Sequence, residues 1–534
     1  MYWFARFTAL FIATTVRMAQ GKGNHAGLDI DLPVCNKNHV WQNIRFFYSF
    51  FVCQRLARKN RMMKVAVIHY HAKPGGVTTA IRQQASATGN KADILLVTGE
   101  APGRDPGMAA AVVPEIGYDR DGMPACPDPE AAADAILEAV KARWPGGCDL
   151  FHIHNPLLAK NRRFPAIIRA LQKRGHRLLL HIHDFAEDGR PGAYFADEPY
   201  PEDCHFCVIN SRDRDILVQA GADPKGVHLV PNMVTPLPCP ATAPVDKKIA
   251  LYPVRAIRRK NIGEAILISQ YFKNGETLHI TLGPNSPADL AAYEQWKAFV
   301  GENGMDVVFE ASLKHKFENL VASSAFMVTT SITEGFGFSF LEPWTAGKMI
   351  HGRKLADICS DFENQGVRLD HMYDRLRVPV RWVGRELLSG RIKAAYEKSR
   401  KAFGLCENAP AVEKFMALAQ KETIDFGMLD EHLQQKVLLR LAGGHERPRK
   451  VLAEMNPFLD SGFAKTPKEI IDVNNIIVRD RFGSRICAER LLAAYVKTAS
   501  FPVSHRLDKA VIVEKFFTPE NFSLLKWGDY GSRV

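Results

Sequence analysis

The sequence predicts an α/β protein with two doubly wound domains, each built on a parallel sheet, facing each other across a cleft. Three observations carry this. Short β-rich apolar runs alternate with helical stretches from Lys64 onward, a stretch with four prolines at 235–246 interrupts the rhythm, and the same rhythm restarts at Ile249. Strands that alternate with helices form parallel sheets, which present ligand sites at the carboxyl ends of their strands.

The first domain, 62–240, is expected to place strands at 64–70, 92–98, 149–154, 177–183, 206–210 and 227–230, with helices at 78–87, 130–143 and 164–174. These strand segments are short and rich in Val, Ile and Leu, as buried parallel strands are. The second domain, 247–483, carries strands at 249–254, 278–283, 306–309 and 325–330. Past about 383 it turns helical and polar, with a helical insertion at about 386–460. A terminal helix from 484 to 497 opens the last segment, 484–534, and is expected to pack back toward the first domain. The tail after Phe501 reads as irregular.

At 534 residues the chain exceeds what one core organises, and its composition is that of a soluble globular enzyme. The net charge of +12 is unevenly spread: residues 1–62 hold nine Lys and Arg against two Asp, leaving only +5 for the remainder. That distribution speaks against nucleic acid as a partner and suits a small phosphate-bearing substrate. Residues 1–61 are expected to be a disordered leader or a mispredicted start ahead of Met62-Met63. Their apolar runs, 7–16 and 46–53, fall short of the roughly 20 residues of a membrane span. Peripheral membrane contact through the leader's aromatics and arginines is the alternative.

The densest stretch is TEGFGFSFLEPWTAGK, Thr333 to Lys348, directly after the strand at 325–330. Gly335 and Gly337 flank Phe336 and let backbone approach a ligand, and a helix beginning near Ser339 would aim its free amides back at the turn. An anion is the expected occupant. The plainer reading is that Ser339 and Glu342 form an S-x-x-E capping box and that Glu334 is a solvated loop residue. Upstream, Arg255, Arg258, Arg259 and Lys260 lie past the end of the 249–254 strand and are expected to face the same cleft, as a diphosphate would need. Gly75-Gly76 supplies a second close-approach turn, and His183-Asp184 ends a strand where it could contact a sugar hydroxyl or handle a proton.

These motifs resemble family 4 glycosyltransferases, the retaining, nucleotide-sugar-dependent enzymes with two Rossmann-like domains called the GT-B fold. Glu334 and Glu342 match the family's paired glutamates, Arg255 and Lys260 its basic pair for the donor diphosphate, Gly75-Gly76 its glycine turn, and His183-Asp184 its histidine-bearing strand end. Pro231-Asn232 and Asn210-Ser211 sit where the family has similar short motifs. The resemblance covers roughly 63–350 and returns near 484–497; it stops at Met349, where the family continues with a proline and an apolar strand.

The resemblance implies a hexosyltransferase acting with retention on a nucleotide-diphosphate sugar and a hydroxyl-bearing acceptor. Glu334, His183 and Asp184 would be catalytic. Gly75, Gly76, Arg255, Lys260, Gly335, Phe336, Gly337 and Glu342 would bind the donor, with Glu334 on sugar hydroxyls and Glu342 on the ribose. No cofactor or metal is expected beyond the donor, since cations stabilise the departing diphosphate.

Ten cysteines in a chain of this size form no disulfide framework. Cys204 and Cys207 are the one close pair, and with His152, His154, His181 and His183 nearby a metal site is conceivable. Buried thiols in a cytoplasmic protein are the simpler account, and no metal is expected. A phosphorylase or epimerase on the same scaffold, or a non-catalytic nucleotide-sugar binder, are the rival readings. A dehydrogenase is disfavoured because no GxGxxG follows a strand.

Overall fold

A computed structural model describes residues 62–120, 125–126, 128–240, 248–406, 408–442, 446–461, 463 and 467–528. The expected leader and its membrane contact lie outside the described residues. The first domain holds a seven-stranded parallel sheet in the order β3-β2-β1-β4-β5-β6-β7. Its strands are β1 (Met63–His69), β2 (Ala92–Thr98), β3 (Ala109–Val112), β4 (Leu150–His154), β5 (Leu178–Ile182), β6 (His205–Val208) and β7 (Val227–Leu229). β4, β5 and β6 are buried throughout, which their continuous apolar runs anticipate for strands covered on both faces.

The second domain holds a five-stranded parallel sheet, β10-β9-β8-β11-β12, made of β8 (Ile249–Arg255), β9 (Thr277–Leu282), β10 (Val307–Val308), β11 (Ser324–Thr329) and β12 (Ile350–Gly352). The expected GT-B-type pair of parallel-sheet domains is therefore the architecture adopted. Strand order reverses between β1 and β4 in the first sheet and between β8 and β11 in the second. Such switch points open a crevice at the strands' carboxyl ends.

Two expectations need correction, and one strand was not anticipated. The 386–460 insertion is not wholly helical: Thr423–Asp425 (β14) pairs antiparallel with Arg377–Pro379 (β13) and ties the helices back to the domain. The chain after Met349 forms β12 although its sequence departs from the family pattern, because Ile350 and His351 fill the sheet edge beside Met327 and Val328. The tail after Phe501 is not irregular. Lys509–Phe516 is a helix capped by Asp508, which accepts from Ala510 N at 2.9 Å, and it buries Ile512, Val513 and Phe516.

The helix Ser484–Ser500 lies against the first domain, on the helix Gly76–Thr88 and on β4 and β5, where Leu491, Ala494 and Tyr495 enter the core. The chain then returns. Lys509–Phe516 packs on Ser211–Gln219 of the first domain, and Leu524–Trp527 reaches the 258–260 turn of the second. No helix among the described residues is long and apolar enough to cross a membrane.

Candidate functional site

At the first switch point, β1 runs into the Gly75-Gly76 turn and the helix Gly76–Thr88. No side chain caps that helix, and a Cβ added at Gly76 would meet nothing within 4 Å. Its first-turn amides are thus open to an anion. Opposite, Asn155 leaves β4 in the left-handed region (φ 50°), and its Oδ1 accepts from His183 N at 2.7 Å and Asp184 N at 3.2 Å. One asparagine therefore fixes the exit of β5.

His183 is buried, and burial lowers its pKa from 6.5 to about 4 against the opposing pull of Asp184, so the ring is neutral near pH 7. Its Nε2 lies 2.9 Å from His154 Nδ1. Burial would raise the Asp184 carboxyl, but Arg190, whose Nη2 donates to it at 2.8 Å, and Arg259 hold it well below the usual carboxylate range.

At the second switch point the turn 258–261 is fastened to the end of β11. Thr330 Oγ1 donates to Asn261 O at 2.9 Å, Tyr252 OH donates to Lys260 O, and Ile332 N donates to Arg259 O at 3.0 Å. This seats Lys260 against Glu334, and their side chains form a largely buried ion pair. Burial alone would raise the Glu334 carboxyl; Lys260 and Arg259 bring it below its ordinary value. Arg255 is exposed at the strand end and donates to Gly283 O at 3.3 Å. Arg258 departs from expectation. It turns away from the cleft, pairing with Glu431 at 2.5 and 2.8 Å in the helical region and reaching the tail carbonyl of Gly528 at 3.4 Å.

The loop that follows crosses to the other domain. Asn210 Nδ2 donates to Gly335 O at 2.7 Å, and a Cβ at Gly335 would lie 3.0 Å from the His183 carbonyl oxygen. Glycine is required there by proximity. At Gly337 it is required by conformation, φ 90°. Phe336 turns its ring into the core against Phe338 and Phe362, leaving its backbone as the part able to face a ligand.

The helix expected from Ser339 is replaced by a 3₁₀ turn, Phe338–Phe340, and a single helical turn, Glu342–Thr345. No capping box forms: Leu341 is the cap residue, and Ser339 Oγ accepts from Thr329 Oγ1 at 3.4 Å. Among the described residues no side chain pairs with the Glu342 carboxylate, and burial raises its pKa from 4.5 to about 7.

The structure thus brings Lys260, Glu334, Gly335, His183 and Asp184 together, with Arg259 acting electrostatically on both Asp184 and Glu334. Sequence reasoning missed Asn155, Arg190 and the bridging part played by Asn210. Strand-end asparagines at β4 and β6 were the available signal. For metals, one group among the described residues has ligand spacing: His152, His154 and His181, all buried. Cys204 and Cys207 are buried free thiols outside that group.

No protein-family model matches the chain. It is 25% identical over 424 residues to the mannosylglucosyl-3-phosphoglycerate synthase of Petrotoga mobilis, spanning 70% of this chain and 80% of that protein. Among solved structures it resembles HepE of Anabaena in complex with UDP-glucose (TM-score 0.46, 12% identity, 81% of this chain and 98% of that one). It also resembles the sucrose-phosphate synthase of Thermosynechococcus elongatus (TM-score 0.46, 14% identity, 82% and 98%) and a glycosyltransferase of Rickettsia africae (TM-score 0.47, 11% identity, 82% and 99%).

Proposed function

We propose that this chain is a glycosyltransferase of the family 4 type, moving a hexose from a nucleotide-diphosphate sugar to a hydroxyl-bearing acceptor with retention. The observation that carries the proposal is the buried Lys260–Glu334 pair, held at one switch point beside Arg255 and Arg259, with the next residue, Gly335, closing on the His183 backbone of the other domain. Glycosyl transfer passes through an oxocarbenium-like state while charge grows on the leaving diphosphate. Arg255, Lys260 and the open amides after Gly75 would meet that charge, each donor being worth about 3 kcal/mol of barrier.

Glu334, kept ionised by Lys260 and Arg259, would accept from sugar hydroxyls, and Glu342 would accept from the ribose. His183, its Nε2 engaged by His154, would offer Nδ1 to a sugar hydroxyl. Asp184 is neutralised by Arg190 and Arg259, which suits it to orienting those cations rather than to moving a proton. No nucleophile or metal is required of this arrangement. The product named by the Petrotoga relative contains phosphoglycerate, so an acceptor carrying phosphate and carboxylate is the first to try.

The test is a donor screen with the full chain, measuring nucleoside diphosphate released from UDP-, GDP- and ADP-hexoses with glucosyl-3-phosphoglycerate as acceptor. Acceptor-dependent release, abolished in Glu334→Gln, is expected, with the donor's anomeric configuration kept in the product. Interconversion of the donor without acceptor would point instead to an epimerase. Donor binding without turnover under any acceptor would point to a silent binder.

A further inference from the structure

Behind His183 the first domain carries a second cluster of chemistry, of which the proposed transfer uses His183 alone. β4 and β5 run in register with His154 beside His181. Alternation along the strands therefore puts His152, His154, His181 and His183 on one face, the face covered by the helix Ser484–Ser500. All four are buried, at 0%, 1%, 0% and 6% exposure. Four imidazoles in place of aliphatic side chains must find partners for their ring nitrogens away from water.

They do so only in part. His152 Nε2 lies 3.0 Å from His181 Nδ1, His154 Nδ1 lies 2.9 Å from His183 Nε2, and His152 Nδ1 lies 2.9 Å from the Tyr495 hydroxyl of the covering helix. His154 Nε2 and His181 Nε2 are enclosed without any hydrogen-bond partner. An enclosed polar atom left without a partner is costly and rare, so two such nitrogens on neighbouring strands ask for an occupant.

The remaining features are those of a ligand set. One nitrogen from each of His152, His154 and His181 lies within 4.8 Å of the others. Zn–N bonds of about 2.1 Å at tetrahedral angles put ligand nitrogens roughly 3.4 Å apart, a small closing of the present spacing. Burial keeps the rings unprotonated, the form that binds metal. His183 behind His154 and Tyr495 behind His152 occupy the outer positions that orient ligating imidazoles. Cys207, the neighbour of His181 on β6, stays outside the group, and burial pushes its thiol well above its ordinary value, so the three imidazoles are the ligand set.

We propose that His152, His154 and His181 hold a divalent transition-metal ion of the zinc class, as a structural centre fastening the helix Ser484–Ser500 to the sheet. Three ligands leave a fourth position, but the burial of all three shuts substrate out of it, and its occupancy is independent of whether the chain transfers sugars.

The test uses the untagged full chain, stripped with chelator, given an excess of zinc sulfate and then freed of loose metal. Retention of about one zinc per chain by elemental analysis is expected, with a thermal midpoint several degrees above that of the stripped protein. His181→Phe, which keeps a planar ring and removes a ligand, should retain none. Parent protein that keeps no zinc and shows no shift in midpoint overturns the proposal, as does zinc retention in His181→Phe equal to the parent. Should that variant fail to fold, the zinc content and midpoint shift of the parent decide alone.

Discussion

Asn210, at the end of β6, donates its side-chain amide to the carbonyl of Gly335 at 2.7 Å, so a residue of one domain holds the glycine loop of the other. Its Oδ1 meanwhile caps the helix Ser211–Gln219 at Asp213 N, also 2.7 Å. Asn210→Ser keeps a capping oxygen and loses the bond to Gly335. We expect a roughly fivefold lower kcat/KM for the donor, the equivalent of one hydrogen bond of about 1 kcal/mol, with a nearly unchanged thermal midpoint.

Lys260→Ala strands the Glu334 carboxylate in a site where it is 8% exposed. Breaking a buried pair from one side costs about 3 kcal/mol of stability, measurable by urea denaturation. The same change should lower kcat about 10²-fold or more, since the lost donor serves the departing diphosphate. Full activity in Lys260→Ala at a temperature where it remains folded would count against the proposed chemistry.

Gly335→Ala places a methyl group 3.0 Å from the His183 carbonyl oxygen, closer than an ordinary contact, with backbone on both sides unable to give way cheaply. The domains must part slightly to admit it. Activity is expected to fall at least tenfold while each domain stays folded, seen as an unchanged circular dichroism spectrum.

Glu342 gives a pH signature. Burial raises its carboxyl from 4.5 to about 7, so the folded protein holds this proton more tightly than the unfolded chain. Its contribution to stability is therefore full below pH 4.5 and is lost as pH rises toward 7. Glu342→Gln should match the parent at pH 4.5 and exceed it in urea midpoint at pH 8. A constant difference across that range would show that the carboxyl titrates normally.

Arg353, directly after β12, donates to Glu264 at 2.6 and 3.0 Å and to both carboxylate oxygens of Asp425 at 2.7 Å. Arg353→Ala leaves two buried acids facing each other, and a loss of about 3–5 kcal/mol is expected by chemical denaturation. This triad secures the region where the family resemblance ends.

Legibility in the sequence followed the range of the forces involved. Most strands of both sheets were readable because a buried parallel strand is written in consecutive β-branched and aliphatic residues, but the three-residue edge strand β12 was too short to announce itself. β3, with the sequence Ala-Ala-Ala-Val and mostly exposed, carries no such signal. That Lys260 and Glu334 share a cleft could be anticipated because both follow the carboxyl ends of strands, but their ion pair needed the pairing of β8 with β11. Arg258 could not, since its direction is set by Glu431, 173 positions away. The tail helix was in fact legible, with Asp508 as cap and Ile512, Val513 and Phe516 at helical spacing. The histidine row needed register, because only the alignment of β4 with β5 shows that its members share a face.

Four polar contacts help to clasp the Gly335 loop region and the tail to the first domain: Ser211 N to Asp361 at 2.7 Å, Arg212 to Asp357 at 3.0 Å, Thr333 to Asp188 at 3.4 Å, and Lys526 to Asp188. Water can satisfy each of these groups on separation, while Ile209, whose Cδ1 lies 3.6 Å from where a Gly335 Cβ would stand, adds an apolar contact at the same seam. Mobile ions screen exposed charges over about 10 Å at 0.1 M but reach buried pairs far less, so salt acts on the more open Arg212–Asp357 contact before the buried Lys526–Asp188 one. The seam between the domains thus pairs one contact that the surrounding electrolyte can loosen with one that it barely reaches.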